Sequence, residues 1–218
     1  MAKKSVAPKG PQSLESPEVV QVTVLADAST SMRNLWPTVL QGVENLVKTA
    51  SKYTRTMLRV ESFNMPGHGI TMRDFYDPPG TATMPQHTSG DTFLWGTMLH
   101  AAQSSVAMAM LTPEVKTHHV IVVFTDGGDT YESESANYPA QLARFIADHS
   151  HDVTWFFIDM SGGVHKKNTF GFKTIPVTAA AESLQVALKE VTKVIGQIED
   201  NVQKKLPITS GLSLPPAK

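Results

Sequence analysis

The residues best suited to chemistry fall in three short stretches. Asp27, Ser29 and Ser31 follow at every second position after the apolar, β-branched run Val19–Ala26. Thr92 closes the triplet Gly90-Asp91-Thr92, and Asp126 ends the run His119–Asp126, followed by Gly127, Gly128 and Asp129. A carboxylate and two hydroxyls on one tight loop are hard oxygen donors, the kind that Mg²⁺ takes. Val20, Val22, Val24 and Leu25 read as a strand buried on both faces, as in parallel sheets. In open α/β sheets ligands bind outside the carboxyl ends of such strands. If the strands ending at Asp27 and Asp126 are neighbours, both acids meet in one crevice, and the Thr92 loop returns to the same edge to begin its helix. The plainer reading of Asp27-Ala28-Ser29 is an Asx turn leading into the next helix, and Asp126–Asp129 also fits a simple turn.

Composition narrows the classes. The 218 residues suffice for one α/β domain with tails. The net charge of -1 and the lack of a dense Lys/Arg stripe weigh against nucleic acid as a partner. There is no cysteine, which removes disulfides, thiolate metal sites and Cys nucleophiles. The N-terminus lacks the apolar core of a secretory signal, and no run of about 18 apolar residues could span a membrane, so a cytoplasmic protein is expected. Pro8, Pro11 and Pro17 among polar residues predict a disordered arm over 1–17. A single domain is expected over 18–205, with a second loose tail over 206–218.

The positioning elements alternate. Val39, Leu40, Val43, Leu46 and Val47 recur at helical spacing and predict a helix over 37–52, with Pro37 in its first turn. Residues 56–64 alternate as a strand, and 70–76 read as a short antiparallel partner at the sheet edge. The Pro-rich stretch 77–91 is a long loop. Residues 97–111 predict a helix with Met98, Ala101, Ala102, Val106 and Met110 facing inward. A helix over 135–148, a buried strand over 152–159 and a short strand over 170–177 follow. The long helix over 179–205 carries Leu184, Leu188, Val191, Ile195 and Ile198 on one stripe. The fold class is therefore α/β: a doubly wound, Rossmann-like, mostly parallel six-stranded sheet with one antiparallel edge strand and helices on both faces.

The three motifs in this order, Asp27-x-Ser29-x-Ser31, the threonine of Gly90-Asp91-Thr92, and Thr125-Asp126-Gly127 after a Val/Ile/Phe strand, resemble a von Willebrand factor A (vWA) domain. The likeness spans residues 19–200 and suggests a stand-alone, prokaryotic or phage-like intracellular member. It implies a metal-ion-dependent adhesion site (MIDAS). Ser29 and Ser31 would ligate Mg²⁺ directly, Thr92 directly or through water, and Asp27 and Asp126 partly through waters; Mn²⁺ could replace Mg²⁺. The chain departs from the pattern in its Pro-rich loop before Thr92 and in Gly128, where an acid is common.

Three neutral hydroxyls and few directly bound carboxylates would leave the ion under-neutralised, open to a partner's Asp or Glu in a charge-assisted contact. The function expected is thus a non-enzymatic, Mg²⁺-dependent protein-binding module. Some relatives serve an AAA-type ATPase, and none of the motifs chooses the partner. Trp36, Trp95 and Asp129 lie beside the metal loops in sequence and form either a partner-contacting rim or packing beneath the loops. His149 and His151 flank a helix-to-strand turn and lack a third zinc ligand. A haloacid-dehalogenase-type phosphohydrolase would need an Asp two residues after the first, where this chain has Ser29. A structural or assembly subunit with a vestigial metal site is the third reading.

Overall fold

In the computed structural model the described residues are 17–65, 70–73, 88–130, 137–162, 172–177 and 181–204. The expected tails and most of the Pro-rich loop lie outside them. The elements are β1 (Glu18–Asp27), a 3-10 turn (Thr30–Asn34), α1 (Trp36–Ala50), β2 (Thr56–Phe63), β3 (Ile70–Arg73), α2 (Leu94–Leu111), β4 (Lys116–Thr125), α3 (Tyr138–Asp148), β5 (Val153–Asp159), β6 (Lys173–Pro176) and α4 (Ala181–Lys204). The sheet order is β3-β2-β1-β4-β5-β6. Strands β2, β1, β4, β5 and β6 are parallel, and β3 pairs antiparallel with β2. The chain steps outward from β1 to β2 and β3, returns through α2 to β4 beside β1, and then steps the other way. The order reverses between β1 and β4, so the crevice at their carboxyl ends is the topological switch point.

Strand periodicity sorts the core into two layers. Val20, Val22, Val24 and Ala26 of β1 face α1 and α4, together with Val39, Val43, Leu184, Val191 and Ile195. Leu25 of β1 and Ile121 and Val123 of β4 face the other way, onto Leu94, Met98 and Ala102 of α2 and Leu142 of α3. Burial on both faces is why β1 and β4 read as unbroken apolar runs.

Several boundaries shift. Helix α2 begins at Leu94, one turn before the expected Thr97, for a reason given with the site below. Its inward stripe ends early. Ser105 is its last buried residue, whereas Met110 is 71% and Leu111 81% exposed, so the inward placement of Met110 is corrected. The final turn of α2 lies beyond its sheet-covering stretch, so a residue at core spacing meets solvent there. Strand β6 is shorter than expected, at Lys173–Pro176. Residues 74–76, 135–136 and 179–180 of the expected elements lie outside the described residues.

Two buried polar groups stand out at the opposite end of the sheet from the crevice. Glu199 on α4 is 2% exposed. Its carboxylate accepts hydrogen bonds from the Thr56 hydroxyl at 2.6 Å, the Arg55 backbone N–H at 3.2 Å, and the Thr54 hydroxyl and Gln203 amide at 3.4 Å. It lashes the last helix to the turn between α1 and β2. Removing a buried acceptor strands its donors, so Glu199→Ala is expected to lower unfolding free energy by about 2–4 kcal/mol in urea melts, from charged hydrogen bonds of roughly 1.5–3 kcal/mol each and partial re-solvation.

His119 on β4 is 3% exposed, and its Nδ1 and the Oε1 of its register partner Gln21 make no hydrogen bond among the described residues. Burial pushes the imidazole pKa down from its ordinary 6.5 to about 4, against an opposing pull from Asp152. The folded state thus holds His119 neutral while the unfolded chain takes up its proton. Its contribution to stability is complete above pH 6.5 and is lost as the pH falls toward 4. Melts from pH 7 to 4.5 should show an acid-side fall that flattens in His119→Gln, by an amount on the order of 2 kcal/mol.

Candidate functional site

The site grows from the end of β1. Asp27 is the last residue of that strand and is fully buried. One carboxylate oxygen accepts the Ser29 backbone N–H at 2.9 Å and the other accepts the Thr125 hydroxyl at 2.7 Å. Parallel pairing of Ala26 with Phe124 sets Thr125, the last residue of β4, alongside Asp27. The Thr125 hydroxyl in turn accepts the Gly127 N–H at 3.0 Å, where Gly127 takes a φ of 98° that a side chain would oppose. The ends of β1 and β4 are thus tied through a single hydroxyl. Burial pushes the Asp27 pKa up from 3.8 to about 6, the hydrogen bonds from Ser29 and Thr125 oppose that rise, and the Asp126 charge adds to it. Among the described residues the partners of the Asp27 carboxylate are the Ser29 N–H and the Thr125 hydroxyl, both neutral.

The serine loop is held from below and from the side. Met32, fully buried, anchors the 3-10 turn. The Ser29 and Ser31 hydroxyls stand 3.1 Å apart, Ser29 buried and Ser31 exposed. Thr30 donates both its backbone N–H and its hydroxyl to the Gly90 carbonyl, each at 3.0 Å. The Ser89 N–H donates to the Ala28 carbonyl at 2.9 Å, and the Ala28 N–H to the Phe63 carbonyl at 2.7 Å. Gly90 sits at a φ of 78°, and a Cβ there would come within 3.2 Å of Met65 Sδ. The loop holding Thr92 is therefore laced to the loop holding Ser29 and Ser31.

Thr92 is 2% exposed. Its N–H donates to the Thr130 hydroxyl at 2.9 Å and its carbonyl accepts the Thr130 N–H at 3.1 Å. Asp129 accepts the Trp95 N–H at 3.1 Å, which caps the first turn of α2 with a carboxylate from another loop. That non-local cap explains why α2 starts a turn earlier than its own sequence suggests. The structure thus brings Asp27, Ser29, Ser31, Thr92 and Asp126 to one edge, with Asp126 half-buried. It does not place Trp36 on the rim. Trp36 is 3% exposed and packs in the α1–α4 core layer, because it opens α1 with its side chain turned toward the sheet. Trp95 is half-buried against the α2–α3 layer. His149 closes α3, near Asp152 at 3.4 Å and against the Phe145 ring at 4.4 Å.

The donor set can be tested against an ion. In an octahedron with bonds of about 2.05 Å, adjacent ligands lie about 2.9 Å apart. The Ser29–Ser31 separation of 3.1 Å suits two such neighbours. Among the described residues no group of three or more His, Cys, Asp or Glu is poised for a metal, so an ion here would rest on hydroxyls and two carboxylates. Sequence reasoning quoted Thr125 within a motif without giving it a role, and missed Thr130. Both are hydroxyls beside a motif acid, and Thr125 passes for an ordinary strand residue because its partner is 98 positions away.

No family model and no curated protein matches the chain. Solved structures do match its fold. The PilB minor pilin from Streptococcus sanguinis gives a TM-score of 0.60 at 12% identity, over 84% of this chain and 62% of that one. The pilus adhesin SpaC from Lactobacillus rhamnosus GG gives 0.57 at 15%, over 82% and 30%. The SpRpn10 VWA domain gives 0.52 at 13%, over 79% and 95%. The chain spans less than two thirds of either pilus protein and nearly all of the isolated domain. The likeness is one of fold, and that fold is vWA-like.

The tie between the strand ends makes a direct prediction. Thr125→Val keeps the shape but removes the hydroxyl that serves Asp27 and Gly127 together. A loss of about 2–4 kcal/mol in denaturant melts is expected, since a buried carboxylate and an amide both lose a partner. A change below about 0.5 kcal/mol, as at an ordinary surface site, would contradict this account of the switch point.

Proposed function

We propose that this chain is a vWA-type binding module that holds Mg²⁺ at the β1–β4 crevice and docks a protein partner through an Asp or Glu of that partner. The reading rests on one observation above the others: the two serine hydroxyls stand at cis-ligand spacing beside a fully buried carboxylate. In this reading Ser29 and Ser31 bind the ion directly. Thr92 binds directly or through water, and Asp27 and Asp126 act partly through waters. A divalent cation supplies the positive charge that burial makes valuable to Asp27. The hydroxyls are neutral, so the ion keeps enough charge to draw a carboxylate into its open position. Mn²⁺ suits the same oxygen donors. One structural neighbour is described as a pilus adhesin, in keeping with a docking role. The position two residues after Asp27, where phosphoryl transfer of the haloacid-dehalogenase kind requires an acid, holds Ser29.

A specific observation favours a second reading. Asp27 is already hydrogen-bonded by Ser29 and Thr125, so a purely structural strand-end clasp would use the same residues. Thermal melts separate the two. A metal that binds only the folded state adds about 2.7 kcal/mol at a hundredfold excess over Kd, worth a rise in Tm of roughly 5–10 °C for a domain of this size. The rise is expected in wild type with Mg²⁺ or Mn²⁺ and is expected to vanish in Asp27→Ala. A flat wild-type response up to about 10 mM would favour the structural clasp, because it lies above the range of oxygen-ligand sites.

A further inference from the structure

Helices α1 and α4 lie side by side on one face of the sheet, close together at Gly42, while Gly196 of α4 comes close to Tyr53 in the turn after α1. A Cβ at Gly42 would fall 2.7 Å from Leu184 Cδ2, and a Cβ at Gly196 would fall 2.7 Å from Tyr53 Oη. The missing side chains allow those two close approaches. Between them the helices part around a groove of about 450 Å³. Its floor is Leu46 and Leu188, with Asn45 and Tyr53 on the α1 side and Lys189 and Lys193 on the α4 side. The lining residues include two lysines and no acid.

Charge around the groove follows a pattern. Lys48 on α1 and Lys52 in the turn after it are exposed but do not line the groove, so its positive charge comes from Lys189 and Lys193 on α4. Lys48, Lys52, Lys189 and Lys193 form no ion pair among the described residues. Glu190, the nearest acid on α4 to Lys189, faces Lys173 at 3.8 Å. Other acids bracket the groove lengthwise: Glu44 and Glu182 toward the Gly42 end, and Asp200 near Tyr53. An apolar floor, a basic middle and acidic ends select a short occupant whose apolar side chains are flanked by carboxylates.

We propose that the α1–α4 groove is a second docking surface, for an acidic amphipathic segment of a protein partner. The segment lays leucine-type side chains on Leu46 and Leu188 and sets its carboxylates against Lys189 and Lys193. This is the helix-in-groove mode, in which apolar anchors give affinity and rim charges give steering and register. The groove lies on the helical flank, so its occupancy is independent of any ion at the β1–β4 crevice.

The test uses the full chain, isotopically labelled, and a synthetic peptide of about three helical turns carrying Leu at i, i+3 and i+4 with Glu elsewhere. A control peptide has every Glu replaced by Lys. The acidic peptide is expected to shift backbone amide signals of residues 45–53 and 185–193, in wild type, in Asp27→Ala and in chelator alike. Lys189→Glu with Lys193→Glu, both exposed and so expected to leave the melting curve unchanged, should weaken binding about tenfold or more, and salt should weaken it in wild type. Equal binding of the Lys peptide, shifts confined to the crevice loops, or no weakening in the folded double variant would overturn the proposal. So would self-association of the chain that the double variant abolishes, because the occupant would then be a second copy.

Discussion

Everything at the functional edge depends on the buried carboxylate of Asp27. A carboxylate is expensive to bury, and this one is fully enclosed, with the Ser29 N–H and the Thr125 hydroxyl donating to it. The fold accepts that cost at the one place where β1 and β4 run parallel and their connections leave in opposite directions. The Thr125 hydroxyl donates to Asp27 and accepts from Gly127, so the strand ends and the loop that follows share one polar knot. Loosening it would free the serine loop, the Asp126 loop and the register between the two central strands together.

Backbone and hydroxyl hydrogen bonds lace together the loops around that knot. Thr30 to Gly90, Ser89 to Ala28 and Thr92 to Thr130 join segments far apart in sequence across a few ångströms. Each is worth about 1 kcal/mol net, yet they act on loops that share no secondary structure, so their effect is to position rather than to stabilise. The opposite end of the sheet is closed by the Glu199 clasp between α4 and the α1–β2 turn. The two polar anchors leave the flanking helices to pack through apolar side chains and glycine contacts, and it is on that flank that the groove opens.

Much of this architecture is legible in the order of the residues. β1, β4 and β5 announce themselves as apolar runs ending in an acid, and the α4 stripe carries its own period. What is not legible depends on distance. Met110 sits at core spacing, but where the sheet stops under α2 is a tertiary fact. Trp36 could turn outward or inward at the start of α1, and nothing local decides. The first turn of α2 is capped by Asp129 from another loop, so no local capping residue marks its start. Glu199 does leave a trace, an acid four residues after Ile195 on the apolar stripe, and a buried acid on such a stripe implies donors waiting on another element.

The chain also contains a comparison for its own site. Asp159 ends β5, is fully buried, and accepts the Ser161 N–H at 2.9 Å, the same turn that Asp27 makes with Ser29 at 2.9 Å. The Ser161 hydroxyl folds back onto Asp159 as well. An Asp-x-Ser turn is therefore a general way for this sheet to end a buried parallel strand, and by itself it says nothing about a ligand. The two turns differ in sequence. Ser31 follows Ser29 two positions on, whereas Gly163 follows Ser161. The Ser29 hydroxyl faces Ser31 at 3.1 Å, and the loop is laced to a second loop that delivers Thr92. The Ser31 hydroxyl adds to the first turn an oxygen donor of the kind that the proposed cation takes.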